Sequence, residues 1–264
     1  MAITVSGSGA RAESVKNHNG GSLPRFTARA QAINRASMTD PSAIAANLGT
    51  VRAHIAAAAR AAGREPSEIT LIAVSKTHPK DAVLAAMAAG QTVFGENRVQ
   101  EAEEKFPIPG AKLHIIGGLQ TNKAAHAVRV ADCIDSLDRM KLADAIDHAA
   151  QAAGRLPELL VQVNIGDEPQ KSGVPTAEAD AFIRAMRARF GAKLAGLMCI
   201  PPVEIDPLPY FQRLTAMADA HGLPVRSMGM SADYGIAIAA GATHIRVGTA
   251  IFGTREAPAQ AHSV

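Results

Sequence analysis

Between residues 69 and 247, eight short apolar runs alternate with stretches of helical periodicity, and this rhythm restricts the fold more than any other feature of the chain. The runs fall at 69–74, 92–94, 113–116, 133–134, 159–163, 194–197, 225–227 and 244–247. Helical patterning follows at 79–89, 97–105, 121–130, 138–153, 176–189, 208–220 and 232–240, with a short turn after the last run. Strands that are apolar on both sides cannot leave a face in water, so each is expected to pair in parallel beneath helices. Eight such units in 264 residues suit a (β/α)8 (TIM) barrel, which takes about 250 residues. The expected fold class is therefore α/β, a single-domain TIM barrel. An open doubly wound sheet is the competing arrangement, but no strand-to-helix turn carries the GxGxxG fingerprint of a dinucleotide fold.

The first 41 residues read differently. Gly, Ser, Asn, Ala and Arg dominate without sustained periodicity, so 1–41 is expected to form a disordered or weakly ordered extension. An arginine-rich, acid-poor start also resembles an organelle transit peptide, whereas Met38 offers an alternative translation start. The barrel is expected over 42–255, with a tail at 256–264. Its first element is a long helix: Asp40 and Ser42 offer capping oxygens, Pro41 suits a first turn, and an Ala-rich stretch reaches Ala62 before Gly63.

Several function classes are disfavoured. No run of about 18 apolar residues is free of charge or Gly/Pro, so no membrane association is expected. Cys133 and Cys199 lie far apart outside any CxxC pattern, which argues against disulfides and zinc and suits a cytoplasmic protein. The nine histidines lack HExxH-type spacing, and no metal is assigned. A pI near 9.0 suggests nucleic acid, but residues 1–41 hold five basic against two acidic residues and carry the whole formal excess of +3. A neutral body with 3% aromatics offers neither a phosphate-tracking stripe nor stacking platforms, so no nucleic-acid partner is expected.

In a barrel of this kind, active groups stand at the C-terminal ends of the strands. The first run, Leu71-Ile72-Ala73-Val74-Ser75, ends at Lys76. Partial burial in the mouth disfavours a lysine's charged form and leaves free amine to attack an aldehyde. Alone, a lysine at a strand end is ordinarily just solvated. The last two strands add the context: Ser227-Met228-Gly229-Met230-Ser231 leads into a helix, and Arg246-Val247 is followed by Gly248-Thr249 and a short helical turn. Gly, Ser and Thr at helix starts are ordinary turn chemistry singly, but together after strands 7 and 8 they mark the usual phosphate grip of such barrels. A lysine facing a phosphate grip suits a phosphorylated aldehyde. Two more segments, Gly95-Glu96-Asn97-Arg98-Val99-Gln100-Glu101 and Gly117-Gly118-Leu119-Gln120-Thr121-Asn122-Lys123, place amides and charges where a loop becomes a helix, as functional loops or as simple caps.

These residues resemble a known family. Ala73-Val74-Ser75-Lys76-Thr77, Phe94-Gly95-Glu96-Asn97, His114-Ile115-Ile116-Gly117, Lys171-Ser172-Gly173, Ser227-Met228-Gly229-Met230-Ser231 and Arg246-Val247-Gly248-Thr249 occur in the order seen in pyridoxal phosphate homeostasis proteins, the YggS/PROSC group. The resemblance covers essentially residues 42–255. It implies an alanine-racemase-like barrel without that enzyme's C-terminal β domain. It implies pyridoxal 5'-phosphate (PLP) held by Lys76 as a Schiff base. Ser231, Gly248 and Thr249 would hold the phosphate, Met230 and Gly229 would supply nearby backbone, and Asn97 would face the cofactor. Arg246 would sit near the pyridine nitrogen, where a permanent charge opposes protonation and weakens the ring as an electron sink.

The family implies a monomeric carrier and buffer of PLP in vitamin B6 homeostasis, with PLP-dependent apo-enzymes as possible recipients and no assigned catalytic residue. An amino acid racemase is the alternative. It needs a second acid/base opposite Lys76, and the chain has only Tyr210 and Tyr234 to fill a tyrosine's role. A cofactor-free aldolase using Lys76 is a third reading, for which the strand ends offer no plain carboxylate or second lysine.

Overall fold

The computed structural model describes residues 40–253, residue 204 excepted. The expected tail, and all but the last two residues of the expected extension, lie outside the described residues. Asp40 caps the first helix, α1 (Pro41–Ala61), by accepting from the Ser42 amide at 2.9 Å. Ile44, Leu48, Val51, Ile55 and Ala59 form its buried stripe, and Gly63 (φ +69°) takes the left-handed conformation beyond its end.

The strands then alternate with helices: β1 (Thr70–Val74), α2 (Lys80–Ala88), β2 (Val93–Glu96), α3 (Val99–Lys105), β3 (Lys112–Ile115), α4 (Ala124–Val130), β4 (Cys133–Leu137), α5 (Met140–Ala153) and β5 (Glu158–Asn164). A two-residue strand, β6 (Val174–Pro175), precedes α6 (Thr176–Phe190), β7 (Leu194–Cys199), α7 (Leu208–Ala220), β8 (Val225–Ser227), α8 (Tyr234–Ala239), β9 (His244–Val247) and α9 (Thr249–Phe252). All pairings are parallel. The order β4-β3-β2-β1-β9-β8-β7-β5, closed by β4 against β5, makes an eight-stranded barrel. This is the expected TIM barrel. The two-residue β6, which among the described residues pairs only with β5, was not expected, because two residues carry no periodicity.

Strand alternation decides which residues see the lumen. In β1, Leu71 and Ala73 pack in the large core between barrel and helices, whereas Val74 faces the barrel mouth. Continuing that alternation, Ser75 points outward and Lys76 inward. A separate small cluster of Cys133, Leu160 and Met198 fills the lumen deeper down. Gly95 is required on the lumen side of β2, where a Cβ would stand 2.9 Å from Ile72 Cγ2 and 3.1 Å from Ile116 Cδ1. Among the described residues no helix is long and apolar enough to cross a membrane.

Candidate functional site

A cavity of about 570 Å³ opens at the C-terminal ends of the strands, within the range of small-molecule sites. Lys76, Asn97, Met230, Arg246, Gly248 and Thr249 all line it, so six of the eight expected site residues share one space. Gly229 and Ser231 flank it without lining it. Gly229 is buried with φ +91°, and a Cβ there would meet the Ala237 Cβ at 2.6 Å, so glycine is needed for the turn that presents Met230. Ser231 is exposed, next to Met230 on the rim.

Sequence reading did not assign Gln162, Lys171, Ser172, Gly117, Gly118, Ile116 or Ile200, which also line the cavity. Gln162 had a readable signal: it is polar at a lumen-facing position inside an apolar strand. Its amide donates to the Ser172 carbonyl at 3.1 Å. Asn164 shapes the same loop, donating to the Glu168 carbonyl at 2.8 Å and accepting from the Glu168 amide at 3.1 Å. Lys171 is tied back by Glu168 at 2.5 Å and by the Pro201 carbonyl at 3.1 Å. Gly117 lets the loops after β2 and β3 touch, since a Cβ there would stand 2.4 Å from the Asn97 carbonyl oxygen.

Beneath the cavity floor runs a buried polar chain of side chains from four strands, tied to the backbone of a fifth, β7. Arg246, only 4% exposed, donates to Ser227 Oγ at 2.9 Å and to the Cys199 carbonyl at 2.8 Å. Ser227 Oγ in turn donates to Asp135 at 3.1 Å, and Asp135 meets His114 Nδ1 at 2.9 Å. Burial pushes the Asp135 carboxyl up, but the charge and hydrogen bond of His114 outweigh it and hold the group below its ordinary value. Burial likewise pushes His114 down, and Asp135 reverses this, leaving His114 above its ordinary value. Neighbouring His244 meets the Thr243 hydroxyl at 3.0 Å instead of a carboxylate, and burial, then the charge of His114, lower it to about 4. Ligand atoms of His114, Cys133 and Asp135 lie within 4.8 Å of one another, a grouping invisible to linear spacing because it is built across strands. Hydrogen bonding between His114 and Asp135 already accounts for their approach.

The cavity's donor set tests the fit of a phosphorylated aldehyde. Its named lining holds two lysines, an arginine, amides and a threonine hydroxyl, and no carboxylate. Gly248 and Thr249 stand at the start of α9, and a Cβ at Gly248 would lie 3.1 Å from the Val74 carbonyl oxygen, so glycine brings that turn against the end of β1. An amine and the N–H and hydroxyl donors of a helix start sharing one cavity are what an aldehyde and a phosphate require.

The alanine racemase N-terminal domain family matches residues 40–256. A pyridoxal phosphate homeostasis protein of Escherichia coli K12 is 43% identical over 229 residues, spanning 81% of this chain and 97% of the relative. The chain belongs to the pyridoxal phosphate homeostasis protein family. The Pseudomonas aeruginosa relative of the same name is 40% identical over 226 residues, covering 81% of this chain and 97% of its own. Among solved structures, PipY of Synechococcus elongatus with PLP bound superposes with TM-score 0.69 at 36% identity, covering 80% of this chain and all of PipY. The alanine racemase of Bartonella henselae, at 16% identity and TM-score 0.62, shares the fold; the chain spans 60% of its length.

Proposed function

We propose that this protein binds pyridoxal 5'-phosphate and acts in its homeostasis, carrying and buffering the cofactor through a Schiff base at Lys76. The observation that carries the reading is that Lys76, Arg246 and the Gly248–Thr249 turn line one cavity whose lining, among the described residues, holds no carboxylate. In this reading Ser231, Gly248 and Thr249 hold the phosphate, Gly229 and Met230 shape that side, and Asn97 faces the ring. Arg246, pinned by Ser227 and Cys199, stands toward the pyridine nitrogen. The relatives' names and the PLP-bound PipY structure support the same ligand.

Neither Tyr210 nor Tyr234 is among the cavity-lining residues, which favours a carrier over a racemase. The protein is read as a cytoplasmic monomer that hands PLP to apo-enzymes. Purified protein should be yellow, and borohydride should abolish the visible band while fixing PLP to Lys76. Lys76→Ala should lack the band. Wild-type protein that stays colourless after incubation with PLP overturns the assignment; rapid α-proton exchange on amino acids would replace the carrier with an enzyme.

A further inference from the structure

On the outer side of the barrel wall, behind Lys76, lies a second buried charge cluster that PLP binding as read above does not use. Lys105, at the end of α3, is 5% exposed, and Glu96, at the end of β2, is fully buried. The Lys105 ammonium donates to the Ser75 carbonyl at 2.7 Å, to Glu96 Oε1 at 2.8 Å and to Glu101 Oε1 at 2.8 Å. Those three bonds match the three N–H donors of an ammonium. Glu96 Oε1 also accepts from the Ser75 hydroxyl at 2.7 Å, and Glu101 Oε1 accepts a short hydrogen bond from the Thr77 amide. Every arm of the cluster therefore ends on the residue before Lys76 or the residue after it.

The backbone held there is strained. Ser75 to His78 forms a turn closed by the His78 amide on the Ser75 carbonyl at 3.1 Å. Its third residue, Thr77, has φ +68°, which a type II turn requires and which normally selects Gly or Asn. A β-branched residue is disfavoured in that region and persists only where its surroundings impose it. Relaxation of Thr77 would rotate the peptide that joins it to Lys76 and re-aim the amine.

Stability alone does not explain the cluster. A buried ion pair is often no better than apolar packing of the same volume, so what it provides is a fixed geometry. Glu96 Oε2 is buried without a hydrogen-bond partner among the described residues, so Glu96 depends on Lys105 and Ser75 for its compensation. We infer that Lys105, with Glu96 and Glu101, is a positioning residue: it clamps the Ser75 and Thr77 backbone so that the Lys76 amine is aimed into the cavity. The inference rests on the reading of Lys76 as the PLP-binding amine.

The test follows PLP capture by full-length apo-protein, as the rate of appearance of the visible band across pH, beside thermal unfolding. Lys105→Met with Glu96→Gln removes the charge pair together and avoids stranding a buried carboxylate. Glu101→Ala cuts the Thr77 arm from the rim, where Glu101 is 22% exposed and the fold is least at risk. Each folded variant should capture PLP at least tenfold more slowly than wild type and with a displaced pH profile. A merely structural role would lower the melting temperature and leave the rate and profile of the folded protein unchanged. Glu101→Ala that captures PLP at the wild-type rate with the wild-type profile overturns the inference, whether or not the double variant folds. Wild type that captures no PLP would instead overturn the reading of the site.

Discussion

Two buried charge clusters flank the wall formed by β1 and its neighbours, and they differ in how they are assembled. The outer one, Ser75, Glu96, Glu101 and Lys105, spans thirty residues of chain and closes on itself around a strained turn. The inner one, Arg246, Ser227, Asp135 and His114, is gathered from β9, β8, β4 and β3, and its guanidinium end reaches the cavity. The outer cluster acts on backbone; the inner one holds a charge ready beside a ligand. A guanidinium that faces a ligand site needs a counter-charge distant enough not to occupy the site itself. Asp135, one hydroxyl away through Ser227, answers that need.

The sharpest way to break the comparison is to remove that counter-charge. Asp135→Ala leaves buried Arg246 with only the weaker field of Asp233 among the described carboxylates that act on it, and takes from His114 the partner that raises it. Breaking a buried charge arrangement typically costs about 3–5 kcal/mol. Truncating Glu101 in the outer cluster, at a partly exposed carboxylate, should cost about 1 kcal/mol or less. Urea unfolding of both variants measures the contrast; equal losses would mean that Asp135 does not anchor the inner chain.

Acid next separates two neighbouring histidines, His114 of the inner cluster and His244 beside it. His244 titrates near 4 in the folded protein against an ordinary 6.5. Between those values the unfolded chain binds a proton that the folded one refuses, so stability is full above pH 6.5 and declines as pH falls toward 4. The loss from this group is about 3 kcal/mol. His114 has the opposite sign: its raised value gives stability that is complete below 6.5 and fades as pH rises through its folded value. The two rings lie 6.0 Å apart, with Asp135 and Arg246 acting on His244 as well. His244→Asn should flatten the stability profile between pH 6.5 and 4. An unchanged slope in that variant would put the acid sensitivity elsewhere.

The same contrast explains what could be read without coordinates. Strands and helices were legible because most apolar runs are buried on both faces, as in β4, and the long helices keep a buried stripe, as in α1 from Ile44 to Ala59. Lys76, Arg246 and the Gly248–Thr249 turn were legible because strand ends in a barrel share one mouth. The outer cluster was within reach, since Glu101 and Lys105 are an i,i+4 pair, but a helical pair of that spacing is normally a solvated face. What turned it inward is the docking of α3 against β2, which linear spacing does not encode. His114, Cys133 and Asp135 were missed for a related reason: the register of β3 against β4, which sets His114 opposite Cys133, fixes their proximity. A polar residue at a lumen position of an apolar strand was the available signal, and Asp135, Gln162 and Ser227 all carry it.

The smallest expected effect concerns the Gly248–Thr249 turn at the cavity wall. Thr249 is exposed at the start of α9, so its hydroxyl contributes little to folding, and Thr249→Ala should leave the urea midpoint unchanged. If that hydroxyl donates to the PLP phosphate, its loss removes one hydrogen bond to a charged group, worth about 1.5 kcal/mol or a tenfold weaker affinity. Ser231→Ala asks the same of a residue that lies on the rim outside the lining. A tenfold loss there, read by equilibrium titration of the visible band, would mean that the turn at Met230 closes over the bound phosphate. Wild-type affinity would strike Ser231 from the grip and leave the phosphate to Thr249 and the backbone amides of the last turn.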